Sequence, residues 1–305
     1  MVAILVSAVY AIIEGARRGY ADPLIIVLFA VCAVSACALV GYERRRAEPL
    51  IDPVFFGSLP FSGATVAAVA AFVAMAGFLF LNTLYLQDVR GYSPLHAGLL
   101  TVPMAVATMI ASPLSGHLTA TRGPRMPMIS AGVLLVAATA PLTRLTPTTP
   151  TALLLAVYLL FGIGFGLVNA PITNAAVSGM PRAQAGVSAA ITATSRQVGS
   201  SLGVAVLGSV IAAHTHGRSP DAFTTASHTC WWILAGCGAL VATVAAVTTT
   251  ARAHASAVRV GRHFASETSD ATAPHAEDSV PSIPQRTPPT AAAHRPLPAE
   301  VTAGR

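Results

Sequence analysis

TALLLAVYLLFGIGFGLVNAPITNAAV, residues 151–177, carries no charged side chain from end to end. A helix needs about 20 mostly apolar residues to cross the hydrocarbon core of a bilayer, and this run is longer than that. It is too long for a strand and does not alternate polar with apolar positions. Seven more apolar blocks share the chain with it: Met1–Ile13, Leu24–Val40, Ala64–Leu86, Ala97–Leu118, Met126–Leu142, Gly186–Ala213 and Cys230–Val247. Short polar or Pro/Gly-marked connections separate them. The sequence therefore predicts an all-α, polytopic membrane helix bundle.

Charge placement points the same way. Of the 305 residues, 54% are hydrophobic and 10% are charged, against roughly 25% charged in a soluble domain. Eleven of the 30 charged residues fall after Thr250, which leaves 19 for the first 250 positions. That is too few to clothe a soluble surface. A soluble globule, a disulfide scaffold and a nucleic-acid binder are excluded. The net charge of +6 comes from 18 arginines and no lysine, placed mostly between the apolar blocks, as topology signals are. Cys32, Cys37, Cys230 and Cys237 lie within or beside apolar runs without a C-x-x-C pair, so they read as small apolar residues. No metal and no cofactor is predicted.

The first block is short. Its span of helix reaches about 20 Å, less than a core of about 30 Å. Nothing basic precedes it and Glu14 and Arg17 follow it, so it is not a signal peptide. We read it as a helix whose beginning is missing, which predicts that the chain starts inside a larger protein. Residues 1–56 then hold two helices and a linker, and residues 57–250 hold six spans. The stretch 251–305 has seven prolines, one Phe and no Trp or Tyr. It cannot bury enough apolar surface to offset the entropy of ordering and is predicted to be a disordered tail.

Orientation follows from the arginines. With both ends in the cytoplasm, inner segments hold Arg44–Arg46, Arg122, Arg125, Arg182, Arg252, Arg259 and Arg262. Outer segments hold Arg17, Arg18, Arg90, Arg144 and Arg218. The excess inside favours this topology, in the cell membrane.

Ionisable groups within a bilayer are expensive and therefore functional by default. Every acid before the tail sits at a span edge or in a loop: Glu14, Asp22, Glu43, Glu48, Asp52, Asp88 and Asp221. One base penetrates. Arg196 and Gln197 lie about ten residues inside the seventh block, on a stripe with Gly199 and Gly203. They face a polar cavity, or else the span starts at Val198 and Arg196 snorkels at the interface. In the sixth block Gly162, Gly166, Asn169 and Thr173 share one face, which suits close helix packing or cavity lining. Phe78, Asn82 and Tyr85 share a face of the third block and mix aromatic with polar groups, which suits a drug-sized apolar ligand, while anchoring at the membrane interface explains Tyr85 almost as well.

Two motif matches do not carry chemistry. Gly162-Ile-Gly-Phe-Gly166 lacks the strand, the third glycine and the acid of a dinucleotide loop. Gly199-Ser-Ser-Leu-Gly203 fits G-x-S-x-G, but Ser201 has neither the strand-turn-helix elbow nor a histidine away from a span end. No catalytic residue is predicted.

Gly116–Arg125, "GHLTATRGPR", resembles the G-x-L-x-D-R-x-G-x-R loop of the major facilitator superfamily. Gly116, Leu118, Gly123 and Arg125 match, while Ala120 and Thr121 replace the Asp and Arg. "ERRRAEPLIDPVFF", "LYLQDVRGYSPLHAGLLTVPM" and "SRQVGSSLGVAVLG" together resemble the fourteen-helix drug:proton antiporters of that superfamily. The resemblance implies that the first two helices are the extra central pair and the other six the C-terminal bundle. It also implies a gating role for the Gly116–Arg125 loop, proton-coupled export of a hydrophobic or cationic small molecule, and a missing N-terminal half bearing the coupling acid. The rival readings are a truncated product and a non-transport membrane protein, either a scaffold or an intramembrane hydrolase.

Overall fold

The computed structural model describes residues 2–18, 22–43, 57–177, 185–214, 220–250, 253, 255–256 and 258–260. Every regular element among them is helical: α1 (Val2–Arg18), α2 (Pro23–Glu43), α3 (Leu59–Leu84), α4 (Pro94–Arg122), α5 (Arg125–Thr139), α6 (Thr151–Val177), α7 (Ala185–His214) and α8 (Pro220–Thr248). A π-helical turn, Tyr85–Val89, continues α3, and a 3-10 turn, Ala140–Arg144, continues α5. The helices from α3 to α8 are each long and apolar enough to cross a membrane. Arg44–Arg46, the rest of 44–56, Arg182, Arg218, Arg252, Arg262 and everything past Val260 lie outside the described residues.

Two helices overrun the apolar blocks that announced them, each for a local reason. α8 starts ten residues before Cys230 because its polar first turns satisfy themselves: Ser227 Oγ donates to the Thr224 carbonyl at 2.8 Å, and the His228 ring bonds the Leu145 carbonyl at 2.9 Å. α1 continues from Ile13 to Arg18, where Arg18 Nε and Glu14 Oε1 pair at 2.7 Å one turn apart.

Three glycine seams hold the bundle. Without a hydrophobic drive between helices in lipid, close backbone approach supplies the attraction. On the α4–α6 seam, a Cβ built on Gly166 would stand 2.7 Å from Ala111 Cβ and 2.8 Å from the Thr108 carbonyl. Gly162 abuts the Met104 carbonyl in the same way. On the α3–α7 seam, Gly199 lies against Val69 and Gly203 against Val73, with carbonyls 2.5 and 2.6 Å from the built Cβ atoms. On the α5–α8 seam, Gly132 and Gly238 face each other. Interhelical hydrogen bonds add to the α4–α6 seam: Thr108 Oγ1 donates to the Gly162 carbonyl at 3.0 Å and Ser115 Oγ to the Leu167 carbonyl at 2.6 Å. α5 packs on both α6 and α8, while α1 packs on α2 and α7.

Helical residues recur after Ala251, where the composition predicts disorder. Residues 253, 255–256 and 258–260 are helical, with Ala253, Ser256 and Val260 buried. Ser256 Oγ accepts the Leu59 N–H at 3.0 Å, at the first turn of α3. The spacing of these three residues gives one buried face over a few turns, enough to order a segment that the proline-rich remainder does not resemble.

Candidate functional site

α4, α6 and α7 line a shallow, widely open cavity of about 620 Å³, bordered by Ser112, Gly116, Asn169, Thr173, Asn174 and Arg196 among others. Its polar lining follows from helical register, since Asn169 and Thr173 stand one turn apart on α6. Asn169 Nδ2 donates to the Phe165 carbonyl at 3.1 Å, and Thr173 Oγ1 donates to the Asn169 carbonyl at 3.1 Å. The spare lone pair of Thr173 then accepts Arg196 Nη2 at 2.8 Å.

α7 begins at Ala185, so Arg196 lies about 16 Å along the helix and not at its first turn. Its guanidinium carbon sits 5.6 Å from the centroid of Phe72, which meets Phe165 edge-on at 5.3 Å. Arg196 Nε is buried with no partner, and no carboxylate lies among the cavity's lining residues. The guanidinium thus faces the cavity with donor capacity in hand. Gln197 is exposed and does not line the cavity.

Phe78, Asn82 and Tyr85 lie elsewhere. Phe78 stacks on Phe161 at 4.0 Å and meets Tyr158 and Trp231 edge-on, wholly inside the six-helix bundle. Asn82 is 4% exposed and accepts the Tyr158 hydroxyl. Phe78 fills the junction of α3, α6 and α8, Asn82 joins α3 to α6, and none of the three lines the cavity beside Arg196. Gly116 lines the cavity, Leu118 packs against the core, and Arg125 opens α5 on the exposed surface. Gly123 closes α4 at φ +80°, a left-handed conformation that glycine adopts freely. Among the described residues no group of three or more His, Cys, Asp or Glu side chains could hold a metal ion.

A second arginine, which the sequence offered only as a topology signal, organises the opposite end of the bundle. Arg90 donates Nη1 to the Pro147 carbonyl and Nη2 to the Thr149 carbonyl, both at 2.9 Å. The Tyr85 hydroxyl, brought round by the π-helical turn, donates to the Thr146 carbonyl at 2.8 Å. Together they clamp the α5–α6 connection to the end of α3. Carbonyl acceptors have no sequence signature, which is why the clamp was invisible there. Charged hydrogen bonds are worth about 1.5–3 kcal/mol each when buried; these are half-buried, so Arg90→Ala should cost about 2 kcal/mol. We expect a melting temperature roughly 4–8 °C lower in detergent, with Arg144→Ala, an exposed arginine nearby, unchanged.

Six bilayer-length helices around a side-opening polar cavity define a multi-pass membrane helix bundle. Residues 23–204 match the model of the Major Facilitator Superfamily, and the chain belongs to that family. It is 36% identical over 207 residues to Multidrug resistance protein Stp of Mycobacterium tuberculosis, covering 68% of this chain and 38% of that protein. It is 29% identical over 219 residues to the Tetracenomycin C resistance and export protein of Streptomyces glaucescens, covering 72% and 41%. With Quinolone resistance protein NorB of Staphylococcus aureus it shares 30% identity over 242 residues, covering 79% and 51%. The chain spans between 38% and 51% of the length of these relatives.

Proposed function

We propose that this chain forms the C-terminal bundle of an exporter of hydrophobic or cationic small molecules in the cell membrane. The single observation that carries this reading is the cavity between α4, α6 and α7, which sets polar side chains within an apolar bundle and has the hydrogen-bonded pair Arg196 and Thr173 on its lining. The names of the relatives, two of drug resistance and one of resistance and export, support it. In this reading a second set of helices closes the open side, and the two halves rock about the cavity in alternating access. The Gly116–Arg125 loop lies at the rim and gates it.

Proton coupling needs a titrating group in the membrane, and the acids before the tail lie at span edges or in loops. The facing helices supply that acid, and Arg196 is its natural counter-ion. An unpaired guanidinium would repel a cation, so cationic substrates bind only when the acid is present. A fusion of this chain behind the N-terminal half of a matched relative should lower ethidium accumulation in efflux-deficient cells. The 305 residues alone, in vesicles, should show no substrate-induced proton movement. Robust proton movement there would overturn the division of labour.

In this reading both ends lie in the cytoplasm. In a cysteine-free background, a single cysteine at Arg122 should resist an impermeant thiol reagent in intact cells while one at Ser219 reacts. The reverse pattern would invert the topology.

A further inference from the structure

At the end of the bundle where α4 turns into α5, a second cavity of about 530 Å³ is lined by Arg122, Arg125, Thr119, Asn174, Thr248 at the end of α8, and Thr249 and Thr250 just after it. Among the described residues no acid lines it and neither arginine has an ion pair. Thr119 is only 7% exposed, lines the cavity, and its hydroxyl has no hydrogen-bond partner. Two free guanidiniums and an orphaned hydroxyl around one cavity are the donor set of an anion site.

The neighbouring feature says which anion. A shallow groove of about 360 Å³ runs along α3 and α8, lined almost wholly by apolar groups of Leu59, Gly63, Val66, Val244, Val247 and Thr248. Thr248 borders both the groove and the cavity. Leu59, Val66 and Val247 are exposed, on a surface that faces hydrocarbon in a membrane. A soluble anion would use the basic cavity and leave the groove unexplained. A phospholipid uses both, with its phosphate among the arginines and an acyl chain along α3 and α8. Basic pockets between membrane helices hold anionic head groups by this chemistry.

We propose that an anionic phospholipid binds here, its phosphate held by Arg122, Arg125 and Thr119 and one acyl chain lying in the α3–α8 groove. The site adjoins the Arg196 cavity, with Thr119 and Asn174 on both linings, but Arg122 and Arg125 do not line that cavity, and lipid retention is read out without any transport assay.

The test is native mass spectrometry on the purified full chain in detergent with added phosphatidylglycerol, chain-matched phosphatidylcholine or inorganic phosphate. Phosphatidylglycerol should stay bound where phosphatidylcholine leaves, and millimolar inorganic phosphate should not displace it. Removing charge as Arg122→Gln or Arg125→Gln should weaken retention about fivefold each, and roughly thirtyfold together. Val66→Trp, which fills the groove without touching the arginines, should weaken it as well. Circular dichroism of each variant confirms the fold; if the double variant unfolds, the single Arg122→Gln at the exposed end of α4 decides. Retention unchanged by arginine loss, or equal for phosphatidylcholine, overturns the proposal. Displacement by inorganic phosphate together with indifference to Val66→Trp would show a free-anion site instead, and overturns the lipid assignment.

Discussion

Arg196→Ala is expected to abolish efflux, by at least about tenfold at equal membrane abundance, when the chain works beside its facing half. A central Arg is disfavoured on insertion scales by about 2.5–3.5 kcal/mol, so nothing in the fold is stabilised by its mere presence. Its contacts are instead those of a positioned group: one nitrogen on Thr173, the plane beside Phe72, and a third donor left over. Alanine removes the charge that orders the cavity while sparing the Gly199 and Gly203 seam behind it. Abundance should therefore stay near normal. Arg196→Lys keeps the charge but loses the planar fork and its stacking, and should restore only part of the activity. Thr173→Ala removes one acceptor, worth about 1 kcal/mol, and should weaken efflux roughly fivefold. Dye efflux at matched expression decides the matter, and full activity of the alanine variant would discard the cavity role.

Gly166→Leu should have the largest effect on the fold itself. The first atom of any side chain at Gly166 meets Ala111 Cβ at 2.7 Å and the Thr108 carbonyl at 2.8 Å. One of these contacts is backbone, so no rotamer change relieves it. Overpacking usually costs about 1–3 kcal/mol, and a leucine here must force α4 away from α6. That separation also breaks the Thr108–Gly162 and Ser115–Leu167 hydrogen bonds. We expect loss of at least about 3 kcal/mol, read as disappearance of the monodisperse peak in size-exclusion of detergent extracts. Gly166→Ala should be intermediate, and Ala111→Gly should rescue it in part by removing the nearer methyl. Gly98→Ala, with nothing within 4 Å, should be neutral or slightly stabilising.

The six long helices were readable because the bilayer demands a long apolar run, and sequence displays such runs directly. Helix ends were less readable, because polar residues at the start of α8 satisfy one another across a turn or across to Leu145. Register showed that Phe78, Asn82 and Tyr85 share a face, yet it gives no sign of which face meets a cavity. In lipid an inward polar residue bonded to a neighbour, as Asn82 is to Tyr158, looks the same on paper as one that awaits a ligand. Arg196 was different: an uncompensated charge well inside a span has few places to go, and its position alone marked it. The Arg90 clamp lay beyond reach since every acceptor it uses is backbone.

The Ser256–Leu59 hydrogen bond has a mechanical consequence. It joins the residues that follow α8 to the start of α3, and a Cβ on Gly57 would stand 3.7 Å from Val260. An even number of crossings returns the chain to the side it left, so α3, which already packs on α8, gains a polar staple to the segment beyond it. Such a staple resists shear between the two helices. Torque arriving through the segment before α3 is thereby shared with α8 at once, and the bundle turns as one body instead of opening at its loose ends.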